Sequence, residues 1–222
     1  GVMHSRSIEF AKKFDVPVHV RASFSDTAGT MITAEPEAAA QPVCGAAMVK
    51  NEARITVLGM PDRPGAAMTL FSQIAAKSIA MDMIVQNIGA EGHADISFTV
   101  VRDDLPATLK AAEQAVAELG AEGVDYDDEV SKISIVGLGM ATQTGVAEKM
   151  FHALAEKGIN IEMISTSPIK ISVLVHKDHA VEALRTLHQV FSLQTAPTEK
   201  EALVQERPEA PEPAAAADLL AH

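Results

Sequence analysis

The sequence predicts an α+β protein built from two βαββαβ modules, the first inserted into the second. Three observations carry that expectation. A stretch of alternating strands and apolar-striped helices occurs twice, the second copy is one strand short, and low-complexity segments flank the pair. With 222 residues, 47% hydrophobic and 22% charged, the chain can bury a core through most of its length. No run reaches the roughly 18 to 20 apolar residues of a membrane span, and no basic segment followed by an apolar one opens the chain. A soluble, cytoplasmic protein without membrane partners is expected. Cys44 is the single cysteine, so neither an internal disulfide nor a thiolate metal cage is available. A net charge of −12, a pI near 5.0, no tryptophan and one tyrosine argue against nucleic acid as a partner.

Taken in order, residues 8–14 have the apolar spacing of a short amphipathic helix and residues 16–20 alternate like a strand. A segment of this length cannot bury a core by itself. Residues 1–33 therefore read as the closing helix and strand of a domain whose body lies elsewhere. Residues 34–42, with Pro36, Pro42 and three successive alanines, read as a linker.

The repeat follows. Ile55-Thr56-Val57-Leu58-Gly59 answers to Ile133-Ser134-Ile135-Val136-Gly137, each an alternating strand closed by glycine. Gly65, Ala67, Leu70, Phe71 and Ile74 match Gly145, Ala147, Met150, Phe151 and Leu154, the apolar stripe of a helix. Strands at 79–84 and 159–164 carry an acid at the same place, Asp82 and Glu162. Strands at 95–100 and 170–175 come next, then a second helix marked by Leu109, Ala112, Val116 and Leu119, or by Ala180, Leu184, Leu187 and Phe191. Each copy is β-α-β-β-α, the order of a ferredoxin-like unit that needs one more strand. Residues 123–130 supply it for the first copy. Nothing after Phe191 can supply it for the second, because the following residues lack β-branched alternation. The apolar segment 43–49, ahead of the first copy, is expected to complete the second sheet. The first module then spans 50–130, and the second consists of 43–49 plus 131–192. Residues 193–222 read as a disordered tail: four prolines, a run of alanines, and six acids against Lys200 and Arg207.

These residues resemble the paired ACT modules in the regulatory region of aspartate kinase. The carrying stretches are Val57 to Gly65 with Asp62-Arg63-Pro64-Gly65, Asp82-Met83-Ile84-Val85-Gln86-Asn87, Asp95-Ile96-Ser97-Phe98-Thr99, and Asn160-Ile161-Glu162-Met163-Ile164-Ser165-Thr166-Ser167. Val2 to Arg6, Val16 to Arg21 and Gly29-Thr30 resemble the C-terminal edge of that family's kinase domain. The resemblance covers roughly residues 1 to 192. It implies an allosteric region that binds threonine or lysine, and so feedback-inhibits ATP-dependent phosphorylation of L-aspartate. It implies a homodimer through the ACT modules and a catalytic domain or subunit as partner. ATP and magnesium belong to that kinase part; the chain alone is expected to need no cofactor and to be inactive. A stand-alone amino-acid sensor is the alternative.

The same resemblance places the effector on Asp62, Gly65, Ala66, Ala67, Ala80, Met81, Asp82 and Gln86, with Asn160 and Ile161 from the second module. Elementary chemistry agrees with a zwitterionic ligand there. Pro64 suits a first helical turn, Gly65 admits close approach to the backbone, and exposed N–H groups at a helix start attract a carboxylate. Asp62 can accept an ammonium, and Gln86 brings an amide needing a partner on a strand expected to be half buried. An ordinary acidic turn before a helix is the plainer reading of the same residues. The first copy has Ala80 where the second keeps Asn160, and Pro168 follows Ser167.

Other signals are weaker. His176 and His179 have ligand-like spacing but lack further ligands, so they read as solvated helix-start residues, and no metal or catalytic site is expected. Gly137-Leu138-Gly139 lacks the third glycine of a dinucleotide turn, with Thr142 in its place. The acids Asp125, Asp127, Asp128 and Glu129 read as a solvated strand edge. Methionines 60, 68, 81, 83, 140, 150 and 163 follow the core stripes and read as packing.

Overall fold

The computed structural model describes residues 3–32, 42–89, 92–137, 140 and 144–194, which fall into two compact units. The expected tail from residue 195, most of the expected linker at 34–42, and Leu138, Gly139 and Thr142 lie outside the described residues. The smaller unit holds helix α1 (Ser5–Lys13) and strands β1 (Val18–Val20) and β2 (Thr30–Ile32), which pair antiparallel. The helix begins earlier than its apolar spacing predicts because His4 caps it, its ring Nδ1 accepting the Arg6 N–H at 3.2 Å. β1 is shorter than predicted, and β2 has no counterpart in the sequence reading.

The larger unit begins at Pro42 and contains the repeat. In chain order it reads β3 (Gly45–Val49), β4 (Glu52–Pro61), α2 (Ala66–Ala75), β5 (Met81–Ile88), β6 (His93–Val101), α3 (Leu105–Leu119), β7 (Gly123–Asp127), β8 (Val130–Val136), α4 (Val146–Glu156), β9 (Met163–Ser167), β10 (Lys170–His176) and α5 (Ala180–Val190). Two four-stranded antiparallel sheets result, ordered β5-β6-β4-β7 and β3-β8-β10-β9. β3 precedes the first module yet lies against β8, with Gly45 opposite Val136 and Val49 opposite Lys132. Without it, the backbone groups on the outer side of β8 would stand unpaired beside a buried core. Gly137, just past β8, is pressed onto this junction: a Cβ there would lie 1.9 Å from the Pro42 carbonyl oxygen.

Alternation along the strands sends one set of side chains onto the helices. Ile55, Val57, Ile96 and Phe98 meet Leu70 and Ile74 of α2 in the first core; Ile133, Ile135 and Val173 meet Met150, Leu154 and Leu187 in the second. The opposite sheet faces carry matching hydroxyl pairs, Thr56 with Ser97 at 2.9 Å and Ser134 with Ser172 at 2.8 Å. A third, smaller cluster joins the modules: Met83, Val130, Met163 and Leu174, in which Met83 and Met163 are repeat equivalents.

Three expectations need correction. Met68 is 68% exposed, because its position on α2 faces away from the stripe formed by Leu70 and Ile74. The predicted strands at 79–84 and 159–164 begin later, since Ile79 and Ile159 are buried anchors ahead of β5 and β9. The strand predicted at 123–130 ends at Asp127, and Val130 opens β8.

Candidate functional site

Between β4 and α2 the chain changes from extended to helical within four residues, and glycine makes this feasible. The Ala66 N–H donates to the Arg63 carbonyl at 3.2 Å, with Pro64 second and Gly65 third in the turn, at φ 95° and ψ −19°. This is a type II turn, which favours proline at its second position and demands positive φ at its third. Pro64 thus sits in the turn rather than in the first helical turn expected for it. Gly145, ahead of α4, repeats the conformation at φ 91°. A Cβ at either glycine would meet nothing within 4 Å, so torsion alone selects the residue. The Asp62 N–H donates to the Gly92 carbonyl at 2.8 Å and ties the turn to the β5–β6 hairpin.

A bulge shapes the adjoining strand. Pairing of β4 with β6 shifts between Val57 and Met60, Gly59 takes φ 61°, and its N–H donates to Asp95 Oδ1 at 2.8 Å. A second shift in β5, between Met81 and Ile84, reverses the alternation beyond it. Met83 and Val85 then face the junction cluster, while Gln86 stands opposite Ile96 on the helix side. Gln86 is consequently exposed at a cavity mouth, not half buried as its strand position suggests.

Turn, bulge and Gln86 enclose an open cavity of about 360 Å³. Asp62, Gly65, Ala66, Ala67 and Gln86 line it, over a floor that includes Ala94 and Ile96. No side chain caps α2, and only the first of its leading N–H groups is used by the turn. The cavity therefore joins a carboxylate and an amide to the positive end of a helix. Arg63 also lines it, which the sequence reading missed; its place in the same turn as Asp62 was the available signal.

The other five expected residues lie elsewhere. Ala80 and Asn160 are exposed, Met81 packs against the first core, and Ile161 packs against the second. Asp82 is engaged at the module junction, where Lys132 of β8 donates to Asp82 Oδ2 at 2.6 Å and to Glu52 Oε1 of β4. Lys132 and Glu52 are buried, and the Asp82 side chain is half exposed. Burial opposes the ammonium of Lys132, but its hydrogen bonds to Asp82 and Glu52 prevail and hold its pKa above the ordinary lysine value. The Lys132 hydrogen bond likewise keeps the Asp82 carboxyl below the usual carboxylate range. The repeat equivalent of Asp82, Glu162, has no such donor; burial, then repulsion from Asp127, raises its pKa. Neither Lys132 nor Glu52 figures in the sequence reading. Among the described residues, no group of three His, Cys, Asp or Glu side chains is placed to hold a metal ion.

Comparison with known proteins adds the following. A family model described as an ACT domain matches residues 55–116 and 133–191. An aspartokinase of Pseudomonas aeruginosa is 43% identical over 195 residues, covering 86% of this chain and 47% of that protein. The chain thus spans about half the length of the curated relatives it matches. A crystal structure of aspartokinase alpha and beta subunits matches at 48% identity and a TM-score of 0.64, over 68% of this chain and 99% of that one. The ligand-free regulatory subunit of aspartate kinase from Thermus thermophilus matches at 40% identity with the same TM-score and the same coverage.

Proposed function

Since the chain belongs to the ACT-domain family, as a tandem regulatory region of the aspartokinase type, we propose that it senses an end-product amino acid, threonine or lysine. Binding inhibits the ATP-dependent phosphorylation of L-aspartate by a kinase domain. The observation that carries this reading is the cavity, where the Asp62 carboxylate and the uncapped start of α2 stand on either side of Gly65. An α-amino acid offers the complementary pair, an ammonium for Asp62 and a carboxylate for the helix N–H groups. Gln86 is left for the ligand's side chain, a hydroxyl in threonine or a second ammonium in lysine.

In this chain the cavity is lined by the first module alone. A wall bearing Asn160 and Ile161 then comes from a second copy, in a homodimer related by a two-fold axis. An effector held between copies binds one quaternary arrangement better than another, which is how it inhibits, with coupling of about 1–3 kcal/mol. ATP and magnesium act in the kinase domain, and this chain by itself does not phosphorylate aspartate. The smaller unit suits a closing piece of that domain: Phe10, Phe14, Val16, Phe24 and Met31 are all more than half exposed.

Titration calorimetry of threonine and lysine against the native chain, Asp62→Ala and Gln86→Ala tests ligand and site together. Asp62→Ala should weaken binding by about 1.5–3 kcal/mol, the range for a hydrogen bond to a charged group, and its exposure favours the lower end. Gln86→Ala should cost less. Equal affinity of Asp62→Ala and native chain, or no binding of either amino acid at millimolar concentration, removes the site from consideration.

A further inference from the structure

A second cavity, of about 300 Å³, opens where the two modules meet, on different elements from the effector site. Lys50 reaches it from the β3–β4 turn, Arg102 from the end of β6, and Lys177 from the 3-10 turn Lys177–His179 that leads into α5. Three cations converge in a chain whose net charge is −12. Ser131 of β8 forms part of the wall; it is 1% exposed, and its hydroxyl makes no hydrogen bond among the described residues. The Arg102 Nε is fully buried and has no partner among them. A buried donor left unpaired is costly and uncommon in folded proteins. Ala180 and Val181, at the start of α5, close the cavity; the 3-10 turn runs straight into this helix, its own start capped by the His176 ring and the Ala180 N–H held by the Lys177 carbonyl.

Of the acids nearby, one is already engaged. Glu129 accepts from Lys177 Nζ at 2.5 Å, which holds its carboxyl below the usual range. Asp178 also lines the cavity, with its side chain 72% exposed and its backbone N–H donated to the His176 ring Nδ1 at 3.4 Å. An acceptor with several oxygens can take the Ser131 hydroxyl and the Arg102 guanidinium N–H together, which the exposed Asp178 carboxylate does not do.

We propose that this cavity binds a phosphate group, either as the free ion or as the end of a small phosphorylated molecule. Tetrahedral oxyanions match converging guanidinium, ammonium and hydroxyl donors. The ligand bridges the modules, because Lys50 and Arg102 flank the first while Ser131 and Lys177 belong to the second. The proposal is independent of amino-acid sensing at the β4–α2 turn.

Calorimetry of the full chain with inorganic phosphate, and separately with glycerol phosphate, tests it at constant ionic strength against chloride. Saturable phosphate binding is expected. Arg102→Gln should weaken it by about tenfold, as expected for a lost charge-assisted hydrogen bond, and Ser131→Ala by about threefold. Asp62→Ala should leave it unchanged. Tighter binding of the monoester identifies an organic phosphate; tighter binding of the free ion identifies phosphate itself. No saturable binding of either overturns the proposal, as does full affinity in Arg102→Gln. Should that variant fail to fold, Lys50→Gln, altering an exposed side chain, takes its place under the same criterion.

Discussion

Replacing Lys132 with methionine probes the charged contact that binds the two modules. Lys132 is 7% exposed and Glu52 only 4%, so removing the ammonium leaves a carboxylate buried without a counter-charge. Breaking such a pair costs about 3–5 kcal/mol. The Asp82 contact adds little, since its side chain is 48% exposed and an ion pair so solvated contributes no more than about 1 kcal/mol. In a chain of this size each kcal/mol lowers the thermal midpoint by about 2–4 °C, so a fall of roughly 6–20 °C is expected. Removing both charges, as Lys132→Met with Glu52→Leu, should recover most of the loss, because an apolar pair of similar volume avoids desolvation altogether. Urea unfolding of the native chain, both single variants and the double variant supplies the coupling energy, expected above about 2 kcal/mol. A loss below about 1 kcal/mol in Lys132→Met would refute the reasoning. So would a double variant as unstable as the two single losses added together.

Gly65→Ala meets no steric obstacle but must hold φ near 95°, and should lose about 1–2 kcal/mol in thermal melts while weakening amino-acid binding. Gly137→Ala should be worse, because its Cβ would force Pro42 and the start of β3 away; hydrogen exchange would show β3 losing protection. The stability contributed by Asp82 is present above its ordinary pKa of 3.8 and lost as pH falls through its lowered folded-state value. Urea midpoints of Asp82→Asn should therefore show a weaker acid dependence than the native chain. Glu162 has the opposite sign: its pKa is raised in the fold, so stability declines as pH climbs from 4.5 through the folded-state value. Glu162→Gln should abolish that decline and raise the neutral-pH midpoint.

Much of the fold could be read from local pattern, because period-two strands and striped helices report their own burial. Ile55 to Val57 and Ile133 to Ile135 carry that signal within three residues. The place of β3 was legible by subtraction, since a β-α-β-β-α copy with no following strand leaves an unpaired edge. Long-range pairing of charges was not legible: Lys132 and Glu52 are 80 positions apart, and nothing local marks either as buried. Nor did alternation disclose the irregularity in β5, which exchanges the faces of Met83 and Gln86. The turn at Asp62 to Gly65 was visible as a motif, whereas the separation of Asn160 and Ile161 from that cavity depends on how whole modules pack.

The insertion of one module within the other also sets an order of assembly. During synthesis β3 emerges before the entire first module and waits for β8, whose residues lie roughly 90 positions later. A loop of that length would ordinarily close slowly. Here the first module closes it: β4 and β7 pair with Arg54 opposite Asp127, which brings the segments just outside them, β3 and β8, together. The first module should therefore form on its own schedule, and the second only afterwards. Lesions in the first core would slow maturation of both, whereas lesions in α4 or α5 would leave a folded first module carrying an unpaired β3, an exposed edge open to association with other chains.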